Sequence, residues 1–183
     1  MRKPKGLNKP GKVKVLKPKP VATGWRVRVK GKDVKIPVIT KDGQAVAFYR
    51  NPKTRDCFVV REKETGTGKT ELTIKELNEK GKEGANVGGM SFSAGNGTGA
   101  IYSIGLQRKG REVVKKYARI GLGSVLQNIA EKRFRMRARE EGKPIEAEVS
   151  NPSRDYYRPM LKGRGWKELK TPGLFVKTFR GGR

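Results

Sequence analysis

Residues 121–141 constrain this chain most. Over that stretch Leu122, Val125, Leu126, Ile129, Ala130 and Phe134 recur at helical spacing and fall on one face. Arg133, Arg135, Arg137 and Arg139 crowd its last turns, where positive charge suits the negative end of the helix dipole, and Gly142 supplies a stop. A helix this long has to bury its apolar stripe. On either side lie strand-like runs, "AIYSIGLQ" before it and "PIEAEVS" after it. Strand, helix, strand in succession predicts a sheet with the helix laid on one face.

The remainder supplies the sheet. Trp25, Val27 and Val29 alternate with Arg26, Arg28 and Lys30, the period of a half-buried strand. "DVKIPVIT", "QAVAFYR" and "DCFVVRE" read as further strands, with turn signals at Asp42-Gly43 and Asn51-Pro52 and an edge or bulge at Pro37. Together they predict an antiparallel meander. Thr73 followed by Glu76 has the form of a capping box, with Leu72 stapling onto Leu77, so a short helix is expected over 74–81. Residues 82–99 are glycine-rich without helical periodicity and predict a flexible connection. Asn151 is expected to cap a second helix, with Pro152 at its first position and Asp155 in its first turn. "GWKEL" and "LFVKTF" complete the strands. The fold class is therefore α+β: a mixed, mostly antiparallel sheet with flanking helices. The expected organisation is a basic disordered arm over 1–24 and one domain over 25–183. That domain divides into a meander plus short helix (25–81), a glycine-rich loop (82–99) and a second half (100–180).

Charge points to the partner. Forty-four Lys and Arg against 17 Asp and Glu give a net charge of +27 on 183 residues, with a hydrophobic fraction of 34%. Such a chain repels itself unless a polyanion is near, so nucleic acid or a ribonucleoprotein is the expected partner. Residues 1–24 contain no acid, and Pro with like-charge repulsion favours an extended, solvated arm. Lys3, Lys5, Lys9, Lys12, Lys14, Lys17 and Lys19 are its candidate nucleic-acid contacts; a disordered leader is the other reading. There is no histidine, which excludes Ser-His-Asp and Cys-His catalysis and a His/Cys metal cluster, so no metal site is expected. Cys57 is the lone cysteine and fits a reducing cytoplasm, with association to a ribosome or virion the variant of that expectation. No apolar run approaches a membrane span, and "MRKPKGLNKPGK" lacks the apolar core of a secretory signal.

Two glycine clusters compete as phosphate sites. "ETGTGKT" at 64–70 has the last letters of a P-loop, but Lys63 stands where the first glycine belongs, and no long helix follows. A polar turn is expected there. The stronger cluster is "RIGLGS" at 119–124. Gly121 and Gly123 precede the long helix, where free N–H groups attract an anion, and Lys115, Lys116 and Arg119 add charge.

This second stretch resembles the acetyl-CoA loop of the GNAT superfamily of N-acetyltransferases. Val114, Tyr117, Gly121, Gly123, Ser124, Leu126 and Ala130-Glu131 stand at matching positions, and Gly165-Trp166 takes the place of the family's later Gly-Phe. The resemblance covers residues 100–180. It implies an acyl-CoA N-acyltransferase-like fold and acetyl-CoA as co-substrate. It also implies cofactor contacts from Arg119, Ile120, Gly121, Leu122, Gly123, Ser124 and Asn151, and a splayed strand after Ala100 to hydrogen-bond the pantetheine arm. Tyr157 is the candidate general acid to the departing thiolate, or else a core residue. Glu112 is the acid closest to a base position, since the strand at 100–107 carries no carboxylate. The chain departs from the family at Ala118, where Arg or Gln is usual, and at Leu161, where the family has tyrosine. It also has a meander where the family places two helices. Two function classes follow: an N-acetyltransferase acting on an amine, with a nucleic-acid-associated acceptor; or a non-catalytic basic module of a ribonucleoprotein or virion.

Overall fold

Alternation along the strands and the single helical stripe organise the molecule into layers. The computed structural model describes residues 13–109, 112–113, 116–117, 120–152 and 157–181. In chain order the strands are β1 (Lys14–Val15), β2 (Lys19–Val21), β3 (Gly24–Val29), β4 (Lys32–Pro37), β5 (Ile39–Thr40), β6 (Gly43–Arg50), β7 (Cys57–Glu64) and β8 (Thr70–Leu77). Next come β9 (Glu83–Gly95), β10 (Thr98–Leu106), β11 (Arg108–Lys109) and β12 (Glu112–Val113). Helix α1 (Leu122–Glu140), β13 (Ile145–Ser150), α2 (Tyr157–Gly163), β14 (Lys167–Glu168) and β15 (Leu174–Phe179) complete the described elements.

The main sheet has the order β1-β6-β7-β8-β9-β10-β13-β15-β14, with β5 on β6, and is α+β in class, mostly antiparallel. The parallel pair among the described strands is β10 with β13, joined by α1 as a crossover. One face carries α1 and α2 over a core that includes Phe58, Leu72, Ile74, Phe92, Leu126, Phe134, Leu161 and Phe175. The other face is covered at its β6–β7 end by a small sheet of order β2-β3-β4, which buries Val27, Val29 and Ile36 against Phe48, Cys57 and Val59.

Strand β7 is buried on both faces, and its apolar residues run without a break, "CFVV". Strand β13 is buried on one, and Ile145, Ala147 and Val149 alternate with exposed Glu146, Glu148 and Ser150. Buried Arg61 closes the small-sheet side: its guanidinium donates to the carbonyls of Pro37, Val38 and Gly43 and to Glu83. That pairing satisfies a charge that would otherwise be costly to bury.

Four expectations are corrected. Residues 74–81 are not a helix. Residues 70–77 form β8, and Leu72 and Leu77, expected to staple together, face opposite cores across a bulge. Residues 82–99 are not a loose connection but most of a hairpin, β9 against β10, turning at Asn96-Gly97 with φ of 54° and 79°. Their glycines serve close packing: a Cβ on Gly99 would lie 2.8 Å from the Phe134 ring, and one on Gly89 2.7 Å from the Leu72 carbonyl. Residues 13–21 are not a free arm, because β1 pairs with β6, β2 pairs with β3, and Leu16 donates to the Phe48 carbonyl at 2.8 Å. Residues 1–12 lie outside the described residues. Finally, Asn151 adopts φ of 48° rather than the extended backbone of an N-cap, and α2 is described from Tyr157.

Candidate functional site

Helix α1 is aimed by its two ends. At its C-terminus Glu141 accepts the backbone N–H groups of Asn96 and Gly97, both at 3.0 Å, which fixes that end beside the start of β10. Phe134 then packs on Gly99, edge-on to Phe92 at 5.7 Å between ring centroids. A helix of 19 residues is about 28 Å long. Running back over β10, it therefore places its N-terminus at the far end of that strand, where β13 also ends.

The turn at that N-terminus has the geometry of an anion cradle. Gly121 is the N-cap residue, with φ of 94° and ψ of 8°, a left-handed conformation that favours glycine. No side chain caps the helix. Val125 donates to the Gly121 carbonyl at 3.1 Å, so the N–H groups of Leu122, Gly123 and Ser124 are the ones with no partner within the helix. Among the described residues, a Cβ on Gly123 would meet nothing within 4 Å. Ile120 is half-buried, Leu122 is buried, and the Ser124 hydroxyl lies 3.4 Å from the Met160 sulfur.

The surroundings hold this turn still. Tyr117 is buried edge-on against Phe58, and its hydroxyl donates to Glu76 on β8 at 2.9 Å. Burial, then the Glu76 carboxylate, push its phenol pKa above the usual value. Lys116 pairs with the same carboxylate, which raises its own pKa. On the other side Arg164 donates to Asn128 at 2.6 Å and to the Ser124 carbonyl at 3.3 Å. Val13 donates to the Ile120 carbonyl at 3.1 Å, so the strap of residues 13–21 starts at this turn.

Behind the first turns lies a buried polar chain. The Tyr157 hydroxyl donates to the Gln127 side-chain oxygen at 2.9 Å, and the Gln127 amide donates to Glu131 at 3.3 Å. Glu131 also accepts from the Trp166 indole at 2.9 Å and faces Lys177 at 3.5 Å. Gln127, Glu131, Tyr157 and Trp166 are all buried. Burial pushes the Tyr157 phenol well above its usual range, and Glu131 adds to the effect. A hydroxyl held this way orders the α1–α2 junction, and that geometry favours packing over proton transfer for Tyr157. Glu131 and Gln127 were not singled out for this role in the sequence. Their signal was the spacing of four on one helix, beside an otherwise apolar stripe.

The parallel ladder ends next to the turn, where β13 stops at Ser150 and β10 runs on to Leu106. β10 pairs with β13 from Thr98↔Glu146 to Ile101↔Val149, and beyond Ile101 no described strand takes that edge. Its other edge has a register shift between Ile101 and Ser103 against β9 and then pairs on to Leu106. Glu148 stands opposite Ala100, near the last paired position, on the exposed side of the sheet. Asn151 follows β13 directly; it is exposed and its N–H donates to the Gly173 carbonyl at 2.7 Å.

The structure thus brings together Ile120, Gly121, Leu122, Gly123 and Ser124, with Asn151 at the end of the neighbouring strand. Arg119 lies outside the described residues, as do Lys3, Lys5, Lys9 and Lys12. Glu112 begins β12 in the two-stranded β11–β12 ribbon, between β10 and α1. Lys14, Lys17 and Lys19 are exposed on the strap. Residues 64–70 are a hairpin turn between β7 and β8: Glu64 pairs with Thr70, and Thr65 donates to the Lys69 carbonyl at 2.8 Å. Among the described residues no group of Asp, Glu, Cys or His side chains is placed to hold a metal. No described helix is long and apolar enough to cross a membrane. No family model matches the sequence, and no curated protein is significantly similar to it.

Proposed function

We propose that the chain is a GNAT-like N-acetyltransferase that binds acetyl-CoA at the α1 N-terminus and acts on an amine of a nucleic-acid-associated acceptor. One observation carries the reading. The amides of 122–124, without partners in the helix, stand at the end of a parallel strand pair whose ladder stops at Ile101↔Val149, while β10 runs on to Leu106. A pyrophosphate fits the amides, since a helix N-terminus favours an anion. A pantetheine arm, which carries amides of its own, fits the edge of β10 beyond Ile101 that no described strand takes. The order strand, glycine turn, helix, parallel strand, helix, strand agrees with what the family resemblance implies. The meander ahead of it departs from the family pattern and leaves the acceptor's chemistry open beyond its amine.

Acetyl-CoA supplies an activated thioester. In direct transfer a C–N bond forms to the amine as the C–S bond breaks; the amine loses its proton, and the thiolate gains one. The chain's own contribution is positioning, with backbone N–H groups of β10 beyond Ile101 polarising the carbonyl. Strand β10 carries no carboxylate, and Glu148, opposite Ala100 and exposed, is a carboxylate near the end of the ladder that could take the amine's proton. No protein nucleophile is required, in keeping with a chain that has no histidine.

Calorimetry with acetyl-CoA tests the reading. Binding that disappears in Gly121→Glu/Gly123→Glu supports it. Absence of binding, alongside tight salt-sensitive binding of nucleic acid, favours the non-catalytic basic module instead.

A further inference from the structure

A groove of about 380 Å³ lies between the strap, strand β6 and helix α1. Its walls include Leu16, Pro18, Trp25, Phe48, Ile129 and Lys132. Trp25 stands edge-on to Phe48, with ring centroids 6.5 Å apart, and stays only partly buried. The interior is aromatic and aliphatic, and exposed lysines lie on and beside it. Lys132 lines the groove and is exposed; on the strap, Lys17 lies between the lining residues Leu16 and Pro18, and Lys14 and Lys19 flank the lining segment 15–18, all three exposed. None of these four lysines makes an ion pair among the described residues. The remaining cation in the lining, Arg133, is engaged by Glu62 of β7.

We infer that this groove is a binding site for single-stranded nucleic acid. The observations argue for that occupant by charge and by shape together. A polyanion suits these exposed lysines, which pair with no acid among the described residues, and the apolar interior beside Trp25 takes the flat face of an unstacked base. A positive track with an aromatic platform is how strands are held without sequence preference. A duplex keeps its bases stacked and offers nothing to the interior, so its gain would come from phosphates alone. The inference locates the nucleic-acid contact of the proposed function and rests on that part of it only; it is independent of acetyl-CoA.

Titrating the full chain with a single-stranded RNA of about a dozen nucleotides, read by tryptophan fluorescence, tests it. Trp25 and Trp166 are the two tryptophans, and Trp166 is buried against Glu131, so the groove's signal comes from Trp25. Binding should quench the emission, and Trp25→Phe should remove the change. Lys17→Glu/Lys132→Glu should weaken binding by roughly tenfold or more, and Lys17→Gln/Lys132→Gln should flatten the slope of log K against log salt by about 1.4. Both lysines are exposed, and circular dichroism checks that each variant folds. Absent binding would overturn the site. So would binding unaltered in both double variants, binding without quenching, or equal binding and quenching by the matching duplex. Acetyl-CoA calorimetry on the same variants should be unchanged, so failure of the transferase reading and failure of the groove are separable.

Discussion

Two glycine-rich turns in this chain carry similar letters and do different things. Residues 65–69 follow β7 and close on themselves: Thr65 donates to the Lys69 carbonyl through both its N–H and its hydroxyl, and Gly68 donates back to Thr65. Lys69 then rests 4.4 Å over the Tyr102 ring. Its polar groups are spent internally, and a strand follows. At 120–124 the left-handed Gly121 instead launches a helix of 19 residues, and three successive amides point onward with no partner in that helix. The element after the turn decides what the turn can offer an anion, because a strand spends its amides on its neighbour while a helix leaves its first ones without partners of its own.

The predictions set these turns against each other. The largest effect falls on what holds the second turn in place. Phe134→Ala should cost about 3–5 kcal/mol in denaturant unfolding, since Phe134 is fully buried between the Phe92 and Phe179 rings. A cost below about 1 kcal/mol would mean that α1 is not packed on β10 as described. Next come the two left-handed glycines. Gly121→Ala and Gly68→Ala, at φ of 94° and 71°, should each cost about 1–2 kcal/mol, yet only Gly121→Ala should weaken acetyl-CoA binding. Equal effects of both on the ligand would erase the distinction.

Tyr157→Phe should cost about 1 kcal/mol by losing the bond to Gln127, and should leave transferase activity within a few-fold. A hundredfold loss would make the hydroxyl a catalytic acid after all. Its pH signature has a definite sign. The folded phenol pKa is raised, so the stabilisation is complete below about pH 10 and is lost as pH rises toward the folded value. Alkaline unfolding should therefore be steeper in the wild type than in Tyr157→Phe. The smallest effect is at Gly123. Among the described residues its would-be Cβ meets nothing within 4 Å, so Gly123→Ala should stabilise the free protein by up to about 1 kcal/mol while lowering acetyl-CoA affinity.

Particular residues show how far the sequence could be read. The stripe from Leu122 to Phe134, the alternation of β13 and the Asp42-Gly43 turn all stated their structure, because one buried face imposes a simple period. β8 did not. Thr73 and Glu76 satisfy a helix-capping rule, but Leu72 and Ile74 alternate toward a core that only long-range pairing with β7 and β9 creates. The β9–β10 hairpin was concealed by glycines that mean close approach rather than freedom, although Asn96-Gly97 is a strong hairpin signal. The strap looked like a solvated arm because the lysines outnumber the two residues, Val13 and Leu16, that pack it down. For the site, the glycines were legible and the supporting shell was not: Tyr117 to Glu76 and Trp166 to Glu131 join residues tens of positions apart.

The central claim, that the first turn of α1 receives a phosphate group, is tested most directly by following backbone amide resonances during titration with coenzyme A. The account predicts large shifts at Leu122, Gly123 and Ser124, with Gly68 and Lys69 unmoved. Shifts confined to the 65–69 hairpin, or no shifts in either turn, would contradict it.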